Sequence, residues 1–460
     1  MSITEQPWLL YAPDLLIELE QCRDEGRDIT GLEERIIAIQ SIPAGDPRRE
    51  TEAAQLLDET IHLPTRADFS YTEPSDLAGI QYRRPPGPRN LPISLTQGDL
   101  YNRIYGAWLG RCAGCLLGIP VEGWPRQRIL DFNRATGNYP LKTFMSSDHP
   151  PEVIEKFNLK NGPNFYGGLI PWLNNIECAP MDDDTNYTII NLIVMETCGS
   201  DFTSDDIGLI WLNNLPLLQV CTAERIAYRN LSNLVLPPVS ATYRNVFREW
   251  IGAQIRADCF GYINPGRMER AAAMAWRDAC ISHVKNGIYG EMWVAAMLSG
   301  AFITNDIHEI IHLGLSEIPA NSRLNSAIMQ ILSWESEALR WEQVIDCIHQ
   351  GWDESNHHHW AHTISNAMIV TTALLYGQGD LEKTITIAVS AGFDTDCNAA
   401  TAGSLVGLLR GANALHSESP LWLTPLNNHL RSSVTGHQKI AISTLAQRTA
   451  DLVTFGEKPP

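Results

Sequence analysis

Apolar residues recur at helical spacing along most of the chain, and few stretches alternate with the period of two that a half-buried strand shows. The clearest helical segments run from Leu100 to Leu117, Asn186 to Thr197, Arg267 to Val284, Gly290 to Phe302, Leu324 to Leu339, His362 to Tyr376 and Ala399 to Leu409. Shorter amphipathic patterns precede them, from Pro13 to Arg23, Gly31 to Gln40 and Arg49 to Leu63. Between Glu73 and Ser94 the periodicity stops. There the run Arg83-Arg84-Pro85-Pro86-Gly87-Pro88-Arg89 can neither continue a helix nor supply a central strand. The pattern therefore predicts an all-α protein in two parts. Residues 1–95 form a small helical N-terminal extension ending in a Pro/Arg-rich linker, and residues 96–460 form one compact many-helix domain. No repeat of fixed period is present, so a solenoid is not expected.

Two of the helices carry glycine at every fourth position, at Gly106, Gly110, Gly114 and Gly118 and again at Gly403, Gly407 and Gly411. That spacing sets each group along one ridge of its helix. An interior glycine costs about 1 kcal/mol against alanine. Close approach of another backbone offsets such a loss, and tight helix packing accounts for the ridges without any active site.

Charge changes the picture at two helix starts. Met181-Asp182-Asp183-Asp184-Thr185 stands before one apolar run, and Gly392-Phe393-Asp394-Thr395-Asp396-Cys397-Asn398 stands before the second glycine ridge. Acidic residues at a helix N-terminus are tolerated because they offset the helix dipole. Two such clusters of the same design suggest more. If the helix starts converge, five aspartates raise one another's proton affinity unless cations neutralise them, and hard divalent ions suit such oxygen-rich loops. Zinc fits less well, because paired histidine and thiolate ligands are not nearby in the sequence. Cys112-Ala113-Gly114-Cys115 has redox spacing but sits on a glycine-ridged helix, where small-residue packing explains it. His357-His358-His359 and His362 read as a solvated loop, since consecutive side chains diverge.

Composition excludes some classes. With 44% hydrophobic and 19% charged residues the chain is in the globular range, and a net charge of -19 disfavours general nucleic-acid binding. Ten scattered cysteines do not make a secreted disulfide framework, the start lacks an export signal, and no run approaches the ~18 apolar residues of a membrane span. A cytoplasmic protein without a membrane anchor is expected.

Taken together, the motifs resemble those of the ADP-ribosylglycohydrolase family, over roughly residues 100 to 415. A glycine-ridged helix ending in Gly118-Ile119-Pro120-Val121-Glu122 resembles the family's opening signature. Asp182-Asp183-Asp184-Thr185 falls on its Thr-Asp-Asp-Thr motif, and Phe393-Asp394-Thr395-Asp396-Cys397 on its closing Gly-Asp-Thr-Asp-Thr motif. Gly252-Ala253-Gln254-Ile255-Arg256 and Ser282-His283 with Gly287 and Gly290 resemble its mid-chain segments. Departures stand at Asp182 and Cys397, each in place of a threonine ligand, and at Cys115, in place of an aspartate. Phe393 replaces a usual glycine, which is expected to narrow the rim of the site. A thiol is a poor partner for Mg2+, which shifts expectation at Cys397 toward Mn2+ or toward water in its place.

The resemblance implies cleavage of the C1 glycosidic bond of an ADP-ribosyl group on a protein or small molecule. Two divalent ions, Mg2+ or Mn2+, would be held by Asp182, Asp183, Asp184, Asp394, Asp396 and Cys397, with Asp396 as the bridge and Asp183 also catalytic. Glu122 would be the base, and Gly118, Gly252, Arg256, His283, Gly287 and Gly290 would line the ADP-ribose groove, the arginine suiting the diphosphate. Two alternatives stay open: a catalytically weakened, immunity-type protein that binds ADP-ribose or a partner, and a hydrolase of another nucleoside-like glycoside. The extension is a candidate lid, oligomer contact or partner-docking element.

Overall fold

The computed structural model describes residues 6–453, whose regular elements are helices apart from one short hairpin. The extension carries α1 (Leu15–Asp24), α2 (Leu32–Ser41), α3 (Pro47–Thr60) and α4 (Leu77–Arg83). After it come α5 (Gln97–Gly118), α6 (Arg126–Ala135), α7 (Pro151–Lys156), α8 (Asp183–Cys198), α9 (Ser204–Asn214) and α10 (Thr222–Ser232). The middle of the chain holds α11 (Asp258–Tyr262), α12 (Met268–Ala279), α13 (Lys285–Gly300), α14 (Ile307–Leu315), α15 (Arg323–Ser336) and α16 (Trp341–Gly351). The last part holds α17 (His357–Ala361), α18 (Thr363–Gly377), α19 (Leu381–Ser390), α20 (Thr395–Glu418), α21 (Pro420–Leu423) and α22 (Ile442–Asp451). Strand β1 (His429–Arg431) pairs antiparallel with β2 (Lys439–Ala441), Leu430 opposite Ile440.

Side-chain caps set many of the starts. The Thr96 hydroxyl accepts from the N–H of Asp99 to open α5, Asp380 accepts from Lys383 to open α19, and Thr203 with Asp206 forms a reciprocal capping box on α9. Each satisfies a donor that the first helical turn leaves without an internal partner.

The organising contact is between α5 and α20, which pack antiparallel with their glycine ridges face to face. A Cβ added at Gly106 would lie 2.3 Å from the carbonyl oxygen of Gly407, one at Gly110 2.0 Å from that of Gly403, and one at Gly114 2.0 Å from that of Ala399. At Gly118 the same atom would meet the backbone nitrogen of Asp396 at 2.3 Å. No side chain fits between these backbones. The ridges therefore bring the end of α5, and the Glu122 turn beyond it, against the aspartate-bearing start of α20. At Gly411 the helix breaks, with φ at +73° and the Asn102 side chain pressed against the glycine.

Helix α5 corrects one expectation. The stretch Gln97–Val121 is long and apolar enough to cross a membrane, alone among the described residues, but 94% of its apolar 18-residue window is buried inside the protein. Its apolarity serves a central packing position, with α20 and α22 against it.

The extension is bound to the domain through buried charge. Arg248 donates to Glu25 at 2.7 Å and to Glu18 at 2.6 Å, and Lys285 reaches Glu25 at 3.0 Å. Gln21 donates to Glu249, which Arg323 and Asn286 also hold. The stretch from Glu73 to Ser94 is likewise fastened. Glu73 pairs with Arg323, Arg84 bridges Glu317 and Glu269, and Arg89 donates to Glu317 and the Ser316 carbonyl. What the sequence presents as a linker is a strap over α14 and α15 that contains α4. Arg248→Ala would leave Glu18 buried without its cation, and Glu25 with only Lys285 and Arg27, at a cost of about 3–5 kcal/mol. Chemical denaturation should show that loss, and limited proteolysis should cut first within residues 6–94.

Candidate metal centre

At the start of α8 the three aspartates point in different directions because each has a different backbone task. Asp182 is extended, with φ at -160°, and one of its oxygens accepts from the N–H of Asp184 at 2.9 Å, capping the helix. Asp184 is buried in the first turn. The Arg111 guanidinium, projecting from α5, donates to its carboxylate at 3.0 Å, to its carbonyl at 2.6 and 2.8 Å, and to Asp258 at 2.9 Å. One Asp184 oxygen is thus taken, while the other is buried with no hydrogen-bond partner. Asp183 is half-buried, and its N–H donates to the Tyr166 hydroxyl at 3.1 Å.

The start of α20 is held from three sides. Asn366 accepts from the N–H of Asp394 and from the Asn398 amide, and the Thr395 hydroxyl donates to the Gly118 carbonyl at 3.0 Å. Asp394 occupies the cap position yet accepts no capping hydrogen bond. Asp394 and Asp396 each keep one buried oxygen without a partner. Phe393 adopts a left-handed backbone, φ +57°, and buries its ring 4.8 Å from that of His349. The expectation that it narrows the rim is corrected, because the ring turns into the core.

These two helix starts and the Glu122 turn come together. Ligand atoms of Glu122, Asp394 and Asp396 all lie within 4.8 Å of one another, as do those of Asp184, Asp396 and Cys397, and those of Cys115, Asp182 and Asp184. Asp184 and Asp396 are shared between groups, so the three form one continuous centre. Glu122 faces solvent and marks its mouth. Asp183 completes no such group, but its charge is near enough to raise Glu122, Asp182 and Asp184.

Electrostatics follow from crowding. Burial first, and then neighbouring carboxylates, push Asp182 and Asp394 well above the ordinary carboxylate range. Glu122 is exposed at the rim but crowded by protein on its inner side, and that crowding, then Asp396, Asp183 and Asp184, pushes it the same way. Asp396 is pushed up to about 6, chiefly by burial. Asp184 is pushed up to about 8 by burial, although Arg111 pulls it back. Buried acids with unpartnered oxygens and rising proton affinity are what a divalent cation would relieve. The donor set fits such an ion, with Asp182, Asp184, Asp394 and Asp396 able to hold it.

The other predicted residues are placed differently. Arg256 is fully buried, donating to Asp278 at 2.5 Å, Glu224 at 2.6 Å and Ser282 at 3.1 Å. Its guanidinium is occupied within the protein, which corrects the expectation that it meets a diphosphate. His283 is buried beside Ser282 at 2.8 Å, and burial, then the Arg256 charge, keeps it neutral. Gly287 and Gly290 are buried against Arg248, His283, Thr363 and Gln254, so they serve packing instead of lining an open groove. Gly118 is the close-approach point with Asp396. Gly252 is half-buried, and a Cβ there would meet the Glu224 carboxylate at 2.2 Å.

The histidine run is not a solvated loop. His358 and His362 are fully buried and face Asp24 of the extension, at 3.0 and 3.9 Å. Trp250 donates to Nδ1 of His358 and the Ile364 N–H to Nδ1 of His362, so each neutral ring carries its proton on the Nε2 that faces Asp24. Neither Nε2 offers a lone pair to a cation, and the group fastens the extension. Arg111, Tyr166 and Asn366 were not singled out from sequence. Of these only Arg111 had a signal, as the one charge midway along an otherwise apolar, glycine-ridged helix.

No curated protein matches the chain. A solved structure described as an "ADP-ribosylglycohydrolase-related protein complex" aligns with a TM-score of 0.47 at 16% identity, covering 78% of this chain and 100% of that one. The family model for ADP-ribosylglycohydrolase matches residues 96–454, more than three-quarters of the chain. The chain therefore belongs to the ADP-ribosylglycohydrolase family.

Proposed function

We propose that this protein is a divalent-metal-dependent hydrolase that cleaves the C1 glycosidic bond of an ADP-ribosyl group carried by a protein or a small molecule. The observation that carries the reading is the convergence of Asp182, Asp184, Asp394, Asp396 and Glu122, from three separate segments, with buried oxygens of Asp184, Asp394 and Asp396 lacking partners. Ions bound there would supply positive charge and Lewis acidity toward the ribose hydroxyls. Asp182, Asp184, Asp394 and Asp396 hold that charge in place, and Arg111 fixes the orientation of Asp184 so that its free oxygen is not spent on the protein.

Glu122, at the mouth, is the group placed to take the proton of an attacking water as oxocarbenium character builds at C1. Burial and the neighbouring carboxylates raise its proton affinity, and cations bound beside it would lower it again and keep the carboxylate ionised. Asp183, half-buried beside it, would orient that water or a ribose hydroxyl. The half-buried edge of Gly252 is the one predicted groove position with surface left for a ligand.

The test is release of free ADP-ribose from an ADP-ribosylated protein and from a small ADP-ribosyl ester. Turnover should fall to background on chelation and return with Mg2+ or Mn2+. Calorimetry that finds ADP-ribose bound, with no turnover under either ion, would instead favour a binding protein. Hydrolysis confined to other nucleoside-like glycosides would keep the machinery and replace the substrate.

A further inference from the structure

Two thiols enter the centre from opposite helices. Cys115 projects from α5 toward Asp182 and Asp184, and Cys397 from α20 toward Asp184 and Asp396. Both are buried and unpaired. Small-residue packing accounts for Cys112, one turn earlier on α5, which sits in the apolar core. Cys115 and Cys397 also touch apolar side chains, but each of their sulfurs is grouped with two carboxylates of the centre, which apolar packing alone does not explain.

Resting on the reading of this centre as a metal site, we propose that Cys115 and Cys397 are thiolate ligands that make it select a thiophilic divalent cation, of the Zn2+ or Co2+ class, over Mg2+. The argument is one of donor chemistry. Mg2+ demands near-octahedral oxygen coordination and gives up its water reluctantly, whereas Zn2+ and Co2+ accept mixed sulfur and oxygen sets of four or five ligands. Each sulfur here is grouped with two carboxylates, and Asp184, common to both groups, is the residue whose second oxygen is buried and unpartnered. Asp394 and Asp396 add further buried, unpartnered oxygens. When an M–S bond forms, the sulfur supplies the electron pair and its S–H bond breaks. One proton per thiol passes to the buffer, and neither sulfur nor metal changes oxidation state.

The experiment uses the full chain, freed of metal by chelation, reduced and titrated with Co2+ without oxygen. The expected result is an intense near-ultraviolet sulfur-to-cobalt charge-transfer band beside the visible d–d bands, with proton release on binding. Zn2+ should displace the cobalt and a large excess of Mg2+ should not. Cys397→Thr and Cys115→Asp should each weaken the band and lower the ratio of Co2+ to Mg2+ affinity by about 10-fold or more. Cobalt bound with d–d bands but no charge-transfer band in the unaltered protein would overturn thiolate ligation while leaving a metal site standing. If calorimetry finds neither Co2+ nor Mg2+ bound, the reading of the centre fails and this proposal with it. The spectrum of the unaltered protein decides the matter even if a variant does not fold.

Discussion

Asp396→Asn should lower the release of ADP-ribose by about a thousand-fold or more, because it removes a charge shared between two of the ligand groups in the centre. The same change should stabilise the protein when no ion is bound. Burial raises the folded carboxyl of Asp396 from 3.8 to about 6. A group whose proton affinity is raised by folding contributes its full stability below the unfolded value and loses it as pH rises through the folded one. At pH 8 the chelated wild-type protein therefore carries a penalty on the order of 2–3 kcal/mol from this residue, which the neutral amide does not. Thermal melting of chelated protein should show the variant above wild type at pH 8 and level with it below pH 4. Saturating divalent ion should then reverse the order, since only the wild type keeps the full ligand set. A variant that retains turnover, or that is less stable than the chelated wild type at pH 8, would remove Asp396 from the centre.

The aspartate clusters were legible because acidic residues repeated at two helix starts exceed what dipole compensation needs, and α5, α8, α18 and α20 were legible because their apolar positions are long and regular. Helices α9, α10, α14, α16, α19 and α22 were not read from the sequence, although most of them are as long as α1 and α2, which were, so length alone does not separate the two sets. Asp278 is buried, and α12 ends just beyond it at Ala279, short of the predicted Val284, with α13 beginning afresh at Lys285. Arg256 shows a different limit. Its motif suggested a ligand contact, but whether a guanidinium meets a diphosphate or a carboxylate depends on partners such as Glu224 and Asp278, which only the fold brings near. The strap was opaque for the same reason: Arg84 and Arg89 find Glu317 more than two hundred residues away. Chain-distant partners set these roles, and no local pattern encodes them.

Gly110→Ala should be among the most damaging single substitutions in the chain, although it adds one methyl group and improves helix propensity by about 1 kcal/mol. The new Cβ would lie 2.0 Å from the Gly403 carbonyl oxygen and 2.8 Å from its carbon, and neither can rotate aside as a side chain would. Helices α5 and α20 must therefore separate or slide, and overpacking of backbone on backbone should cost about 3 kcal/mol or more net of the propensity gain. The damage does not stay in the core. Helix α5 ends at Gly118 beside Asp396, with the Thr395 hydroxyl bonded to the Gly118 carbonyl, so any separation moves Glu122 and Cys115 relative to Asp394, Asp396 and Cys397. A displacement of about 1 Å can cost a hundred-fold in rate. Gly98→Ala supplies the contrast on the same helix, since its Cβ would meet only the Thr96 hydroxyl at 3.8 Å and should leave stability level or slightly raised. Measured together by denaturation and by metal affinity, the two variants separate a general intolerance of α5 from the glycine contact itself. Gly110→Ala that melts with wild type and binds ions equally well would mean that the helices meet less closely than these distances require, and the geometry of the centre would have to be held by something else.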